Sequence, residues 1–297
     1  MSASRFDTPA PISVVLDLYA ADVRFTVSDR ADTVVELRPS GPDKAADAKA
    51  VANTTVEYDE AGRTLSVVSR KPLNRFVNWS SKRPESIELL IQLPAGSEVR
   101  GEAEYGDFHA EGVLGAVAFK SGIGEIRLAE TGPVNLRGGV GAITVGRVVG
   151  AAQVQTGSSD VRLGLVEGTL DVTNGNGKVR VGLVGGCATV KCSNGTISVD
   201  RALSDITVTG ANGEVRIGEV VRGKVSATTK NGSVEVGVRE GSAALLELDT
   251  TLGRVYNELG ASAAPAAGEP VDKVELIAGT KLGDITIRRT ARLEDQA

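Results

Sequence analysis

The stretch GKVRVGLVGGCATVKCSN, residues 177–194, followed directly by GTISVDRALSDITVTGAN, residues 195–212, decides the reading of this chain. Each copy opens on Gly, runs through an alternating apolar and polar strand, turns, and runs through a second one. Aliphatic residues recur at offsets 2, 4, 7, 11 and 13 from the Gly, as Val179, Val181, Val184, Ala188 and Val190. A period of two within each strand puts these side chains on one face, with Lys, Arg, Glu and Thr on the other.

Working outward, the Gly-strand unit returns as GEIRL at 124, GAITV at 141, SDVRL at 159, GEVRI at 213 and GSVEV at 232. Successive starts from 124 to 232 differ by 17, 18, 18, 18, 18 and 19 residues, a period of 18. Outlying members carry Gly106, Gly253 and Gly283. Asn precedes the Gly in four copies, at Asn176, Asn194, Asn212 and Asn231. Both residue types tolerate a tight corner, and an Asn-Gly pair alone suggests a hairpin. At constant period, stacked corners with an Asn ladder are the better expectation. The expected fold is therefore an all-β parallel β-helix or solenoid of about 18 residues per coil, with one continuous domain. Its inward column is expected to include Ile126, Ile143, Val161, Val179, Ile197, Val215 and Val234.

Residues 1–100 read as an irregular β cap. Strand candidates are 12–18, 23–27, 33–37, 54–58, 64–69 and 86–93, with one short helix across 44–52. Residues 101–260 form the regular array. Residues 261–297 begin with a loop, ASAAPAAGEP, followed by two closing strands, 271–278 and 284–288. With aromatics at 3%, the core is expected to consist of small branched aliphatics.

The first residues lack the basic and apolar regions of a secretory signal, and no run is long enough to span a bilayer, so a cytoplasmic protein is expected. A net charge of -5 gives no global attraction to nucleic acid. Cys187 and Cys192 fit neither a disulfide framework nor a zinc site. Five residues apart on one strand, they face opposite ways, and Cys192 at inward offset 15 is the one expected to be buried. The lone His109 has no second His with which to hold a metal. Calcium-binding nonapeptides are absent, and the aliphatic register of hexapeptide acyltransferases is not kept. No catalytic residue, cofactor or metal is expected.

Two surface features remain. Segment 70–83, RKPLNRFVNWSSKR, combines Arg70, Lys71, Arg75, Lys82 and Arg83 with Phe76 and the single Trp79, and contains no acid. It reads as a contact loop for a protein or anionic surface, or as a loop whose aromatics fold back on the cap. The outward offset 3 holds Arg127, Arg162, Arg180 and Arg216, a candidate basic stripe. Glu125, Asp160 and Glu214 stand two residues before three of them, which favours local charge pairing.

The segments ISVVLDLYAADVRFTVSDR from Ile12, LPAGSEVRGEAEYGDFHAEG from Leu93 and LGDITIRR from Leu282, together with the Gly-strand array, resemble the bacterial putative-adhesin family of β-strand-repeat proteins, a domain of unknown function. The resemblance runs over nearly the whole chain. It implies a β-helix-like fold and, for some relatives, a link to cell-envelope stress, and it brings no catalytic residues. Expected function is a non-enzymatic interaction scaffold. The alternative is a self-assembling structural protein like the bactofilins, which needs open terminal coils. The sequence leaves the oligomeric state open.

Overall fold

The computed structural model describes residues 2–41, 45–69, 85–260 and 272–291. These residues are all-β, with 24 strands and one short helix. The chain divides into two compact units, Met1–Arg147 and Val148–Ala297.

The first unit holds β1 (Ser2–Asp7), β2 (Ser13–Ser28), β3 (Asp32–Pro39), α1 (Ala45–Ala52), β4 (Thr54–Asp59), β5 (Thr64–Ser69), β6 (Ile87–Pro94), β7 (Glu98–Tyr105), β8 (Phe108–Leu114), β9 (Val117–Ile123) and β10 (Ile126–Thr131). Its last strand, β11 (Val134–Val148), ends at the division. The long β2 is a double platform. Its first half pairs in parallel with β5 and β7, its second half with β6 and β8. From there β7 pairs with β9, β9 with β11, and β8 with β10, all in parallel. Antiparallel pairing is seen where β1 meets β3, β3 meets β6 and β4 meets β5. Helix α1 buries Asp47, whose carboxylate accepts the backbone N–H of Gly41 and of Ser86.

Phe25, Phe108 and Phe119 lie inside this unit, with ring centroids 5.2 and 4.2 Å apart along the series. The expectation of a core without rings therefore fails here. Three of the chain's five phenylalanines are concentrated at one place, which an average over 297 residues hides.

The second unit holds β12 (Ala152–Val166), β13 (Leu170–Asn176), β14 (Val179–Val184), β15 (Ala188–Asn194), β16 (Ile197–Ala202), β17 (Ile206–Asn212), β18 (Val215–Val220), β19 (Gly223–Asn231), β20 (Val234–Arg239), β21 (Ala243–Leu252), β22 (Val255–Glu258), β23 (Lys273–Leu282) and β24 (Ile285–Thr290). Its strands form two parallel ladders. One runs through β12, β13, β15, β17 and β19; the other joins β12 to β14, β16, β18 and β20. Partners lie 18 residues apart in most of these pairs, as in Val161↔Val179, Val179↔Ile197 and Ile197↔Val215. Like therefore sits on like, and Val161, Val179, Ile197, Val215 and Val234 are all buried, as are Ile126 and Ile143 of the first unit. Burial of each such side chain contributes about 1.5–3 kcal/mol relative to exposure.

Corner chemistry explains why Gly recurs. At Gly195 φ is +140°, and a Cβ there would lie 2.0 Å from the carbonyl oxygen of Gly177 in the neighbouring repeat. Beside these glycines the expected Asn ladder is present. The Asn194 amide donates to Asn176 at 2.9 Å, Asn212 to Asn194 at 2.8 Å and Asn231 to Asn212 at 2.7 Å.

The end of this unit departs from chain order. β23 pairs with β19 on one side and β21 on the other, and β24 lies likewise between β20 and β22. The sequence places the closing strands last, yet the last strands fill an inner slot, and among the described residues β21 and β22 form the edge.

Candidate functional site

The outward arginines are positioned by the parallel register. Arg162 lies directly beside Arg180, then come Ser198, Arg216 and Glu235. Arg162 and Arg180 are exposed and form no ion pair with another described residue. The pairing expected for Arg162 is not made, because Asp160 instead accepts the backbone N–H of Lys178 at 2.9 Å. Arg216 reaches Glu235 on the next strand, with 3.8 Å between charged atoms, rather than Glu214 on its own. Glu214 accepts the Ser233 hydroxyl. Local pairing is present at Arg127, which donates to Glu125 Oε1 at 2.6 Å. Arg127 sits in the first unit beside His109, which in turn lies beside Arg24. His109 is half-buried, with Nε2 4.0 Å from Glu125 Oε2.

The other candidate, Arg70, Lys71, Arg75, Phe76, Trp79, Lys82 and Arg83, lies outside the described residues.

Cys192 is buried and Cys187 exposed, and both are free thiols. The Cys192 thiol lies 3.4 Å from the Gly177 carbonyl oxygen, and burial pushes its pKa up. Among the described residues no group of three or more His, Cys, Asp or Glu side chains is placed to hold a metal ion. No helix among them is long and apolar enough to cross a membrane.

Two features escaped the sequence reading. Glu219 is buried and accepts hydrogen bonds from Arg201 Nε at 3.0 Å and from Arg239 Nε and Nη2 at 3.1 and 2.9 Å. A signal was available: the same ladder position carries Leu165 and Leu183 in the two preceding repeats, so Arg201 and Glu219 are a matched departure from the repeat. The second is the exposed edge. Leu245 is 71% and Leu252 66% exposed, with Val255 and Tyr256 also open to solvent.

No family model and no curated protein matches the sequence. The likeness lies with solved structures. The chain is similar to proteins described as putative adhesins. One, from Bacteroides fragilis NCTC 9343, is 15% identical, with 96% of each chain covered and a TM-score of 0.39. Another, from Parabacteroides merdae ATCC 43184, is 10% identical over 96% of this chain and 95% of that one, with a TM-score of 0.44. A third, from Parabacteroides distasonis ATCC 8503, is described as a putative lipid binding protein; it is 14% identical over 96% of each chain, with a TM-score of 0.37. The adhesin description is the one that the resemblance of the sequence carries.

Proposed function

We propose that this chain is a non-enzymatic binding scaffold built as a β-solenoid of 18-residue coils, and that its ligand is an anionic polymer or surface. The observation that carries the reading is the in-register pair of exposed arginines, Arg162 and Arg180, neither of which forms an ion pair with another described residue. Neighbouring parallel strands lie about 4.8 Å apart, so the two guanidinium groups form a fixed cationic step that matches closely spaced anions better than any single mobile side chain. Segment 70–83 is proposed as a second contact on the strength of its residue types alone. The bactofilin-like alternative is the less favoured, since β1 and β4 enter the first unit by antiparallel pairing, which is not the continuation a parallel stack would need.

Co-sedimentation of the full chain with phosphatidylglycerol-containing vesicles, with phosphatidylcholine vesicles and with a soluble anionic polysaccharide tests the reading. Binding to an anionic probe but not to phosphatidylcholine is expected, lost in the double variant Arg162→Glu, Arg180→Glu and weakened when Arg75, Trp79, Lys82 and Arg83 are replaced together. Retention of binding in the first variant would remove the arginine pair from the site. A large drop in melting temperature of the second variant, with association unaltered, would assign segment 70–83 to the cap.

A further inference from the structure

At the β21 end of the second unit the inward column is left open among the described residues. Leu276 and Ala278 of β23 are 0% and 1% exposed, whereas their ladder neighbours on β21, Leu246 and Leu248, are only half-buried. β21 pairs with β23 alone among the described residues, so the N–H and C=O groups of alternate residues along a ten-residue strand point away from that partner. Of the usual defences this edge carries only two outward acids, Glu247 and Asp249: β21 has no Pro, no basic residue and no inward-pointing charge. The corner changes character too. Four repeats place a hydrogen-bonded Asn there, but the final two positions of the same ladder are Leu282 and Leu252, 48% and 66% exposed.

We propose that β21 is the contact strand of a two-fold homodimer, pairing antiparallel with β21 of a second copy with Leu246 opposite Leu246. The strand is self-complementary in this register. On the inward face Leu246 meets Leu246, and Leu248 meets Ala244, a large residue against a small one. On the outward face Leu245 meets the second copy's Glu247, and Ala243 meets its Asp249. Small Ala243 leaves exposed Lys273, its neighbour on β23, room to reach that Asp249 across a shallow cavity of about 460 Å³ lined by Ala243, Leu245, Lys273 and Val274. Shifting the axis to Leu248 would set Glu247 against Asp249 twice, acid on acid, which cross-strand pairing disfavours. An axis on Glu247 would set that carboxylate against its own copy, and an axis lying between two residues would oppose inward to outward side chains. Closure by a two-fold axis also uses up the edge, so growth stops at two copies.

Sedimentation equilibrium of the full chain tests both the dimer and its register. Leu245 is mostly exposed, so Leu245→Glu and Leu245→Lys should fold alike, and their melting curves serve as the check. Leu245→Glu faces the second copy's Glu247 and should weaken dimerisation roughly tenfold or more. Leu245→Lys faces the same carboxylate and should keep or tighten the dimer. Combining Leu245→Glu with Glu247→Lys should restore it. A wild-type chain that stays monomeric at every accessible concentration would overturn the proposal. So would a dimer indifferent to Leu245→Glu, or one weakened equally by both substitutions. Slow amide exchange of β21 in a monomer would likewise overturn it, showing that the edge is covered by other residues of the same chain.

Discussion

At Gly195 the stacking of one corner on the next depends on a single missing atom. An added Cβ would press on the Gly177 carbonyl oxygen while forcing a side chain into a positive φ, and the neighbour is backbone that the ladder holds in place. Gly195→Ala should therefore cost about 3 kcal/mol or more in denaturant unfolding, while Ser193→Ala, two residues away and exposed, should stay within about 0.5 kcal/mol. The two cysteines offer a second check at this scale. Cys192 is buried and its thiol is held protonated by desolvation, so a thiol reagent should modify Cys187 quickly and Cys192 only on unfolding. Two equally fast reactions in the native protein would contradict the placement of Cys192. Its burial was legible beforehand because parity along a strand is strict: five residues from an outward position is an inward one.

At the scale of elements, the Glu219 cluster shows what a repeat permits when several positions change together. A buried carboxylate held by two arginines is costly to break singly, since removing it strands their charges. Glu219→Ala should destabilise by about 3 kcal/mol, whereas Arg201→Leu, which restores the residue type of Leu183 and leaves Arg239 on Glu219, should cost only about 1 kcal/mol. Equal losses in the two unfolding curves would mean that Arg201 is the essential partner. The strand order near the end was harder to read. LGRVYN and LGDITI both open on Leu-Gly and fit the same slot by pattern. What separates them is the second inward position, Ile287 in β24 against Asn257 in β22. A polar amide belongs at an edge, so this residue was the available clue. The first two candidate strands, 12–18 and 23–27, proved to be the two halves of β2, since the adjacent buried Ala20 and Ala21 between them break the alternation by which a strand is read.

For the molecule as a whole, the all-β class was legible because Gly spacing and alternation agree over more than a hundred residues, the consistency across levels that marks a well-specified fold. The division at Arg147 and Val148 was not, as Gly-strand units continue through it without a change of composition. The candidate arginines were found by offset, but which of them lack a counter-charge depends on whether an acid turns to a backbone N–H, as Asp160 does, and no spacing rule records that. A net charge of -5 opposes anionic ligands at long range, so the proposed association must come from the local cationic step. Its affinity should fall as ionic strength rises from low values to physiological ones, and vesicle sedimentation across a salt series should show it. Flat salt dependence would point to an apolar contact instead.

The inner position of β23 and β24 has a consequence for the order of events during synthesis. A ribosome delivers β21 and β22 before the strands to which they attach, so the edge has no neighbour to hold it while translation continues past Glu258. Folding from the amino end can proceed through β20 and must then wait. The final act of assembly is the entry of a late segment between earlier ones, and until it happens both flanks of the vacancy are open to any other nascent chain nearby.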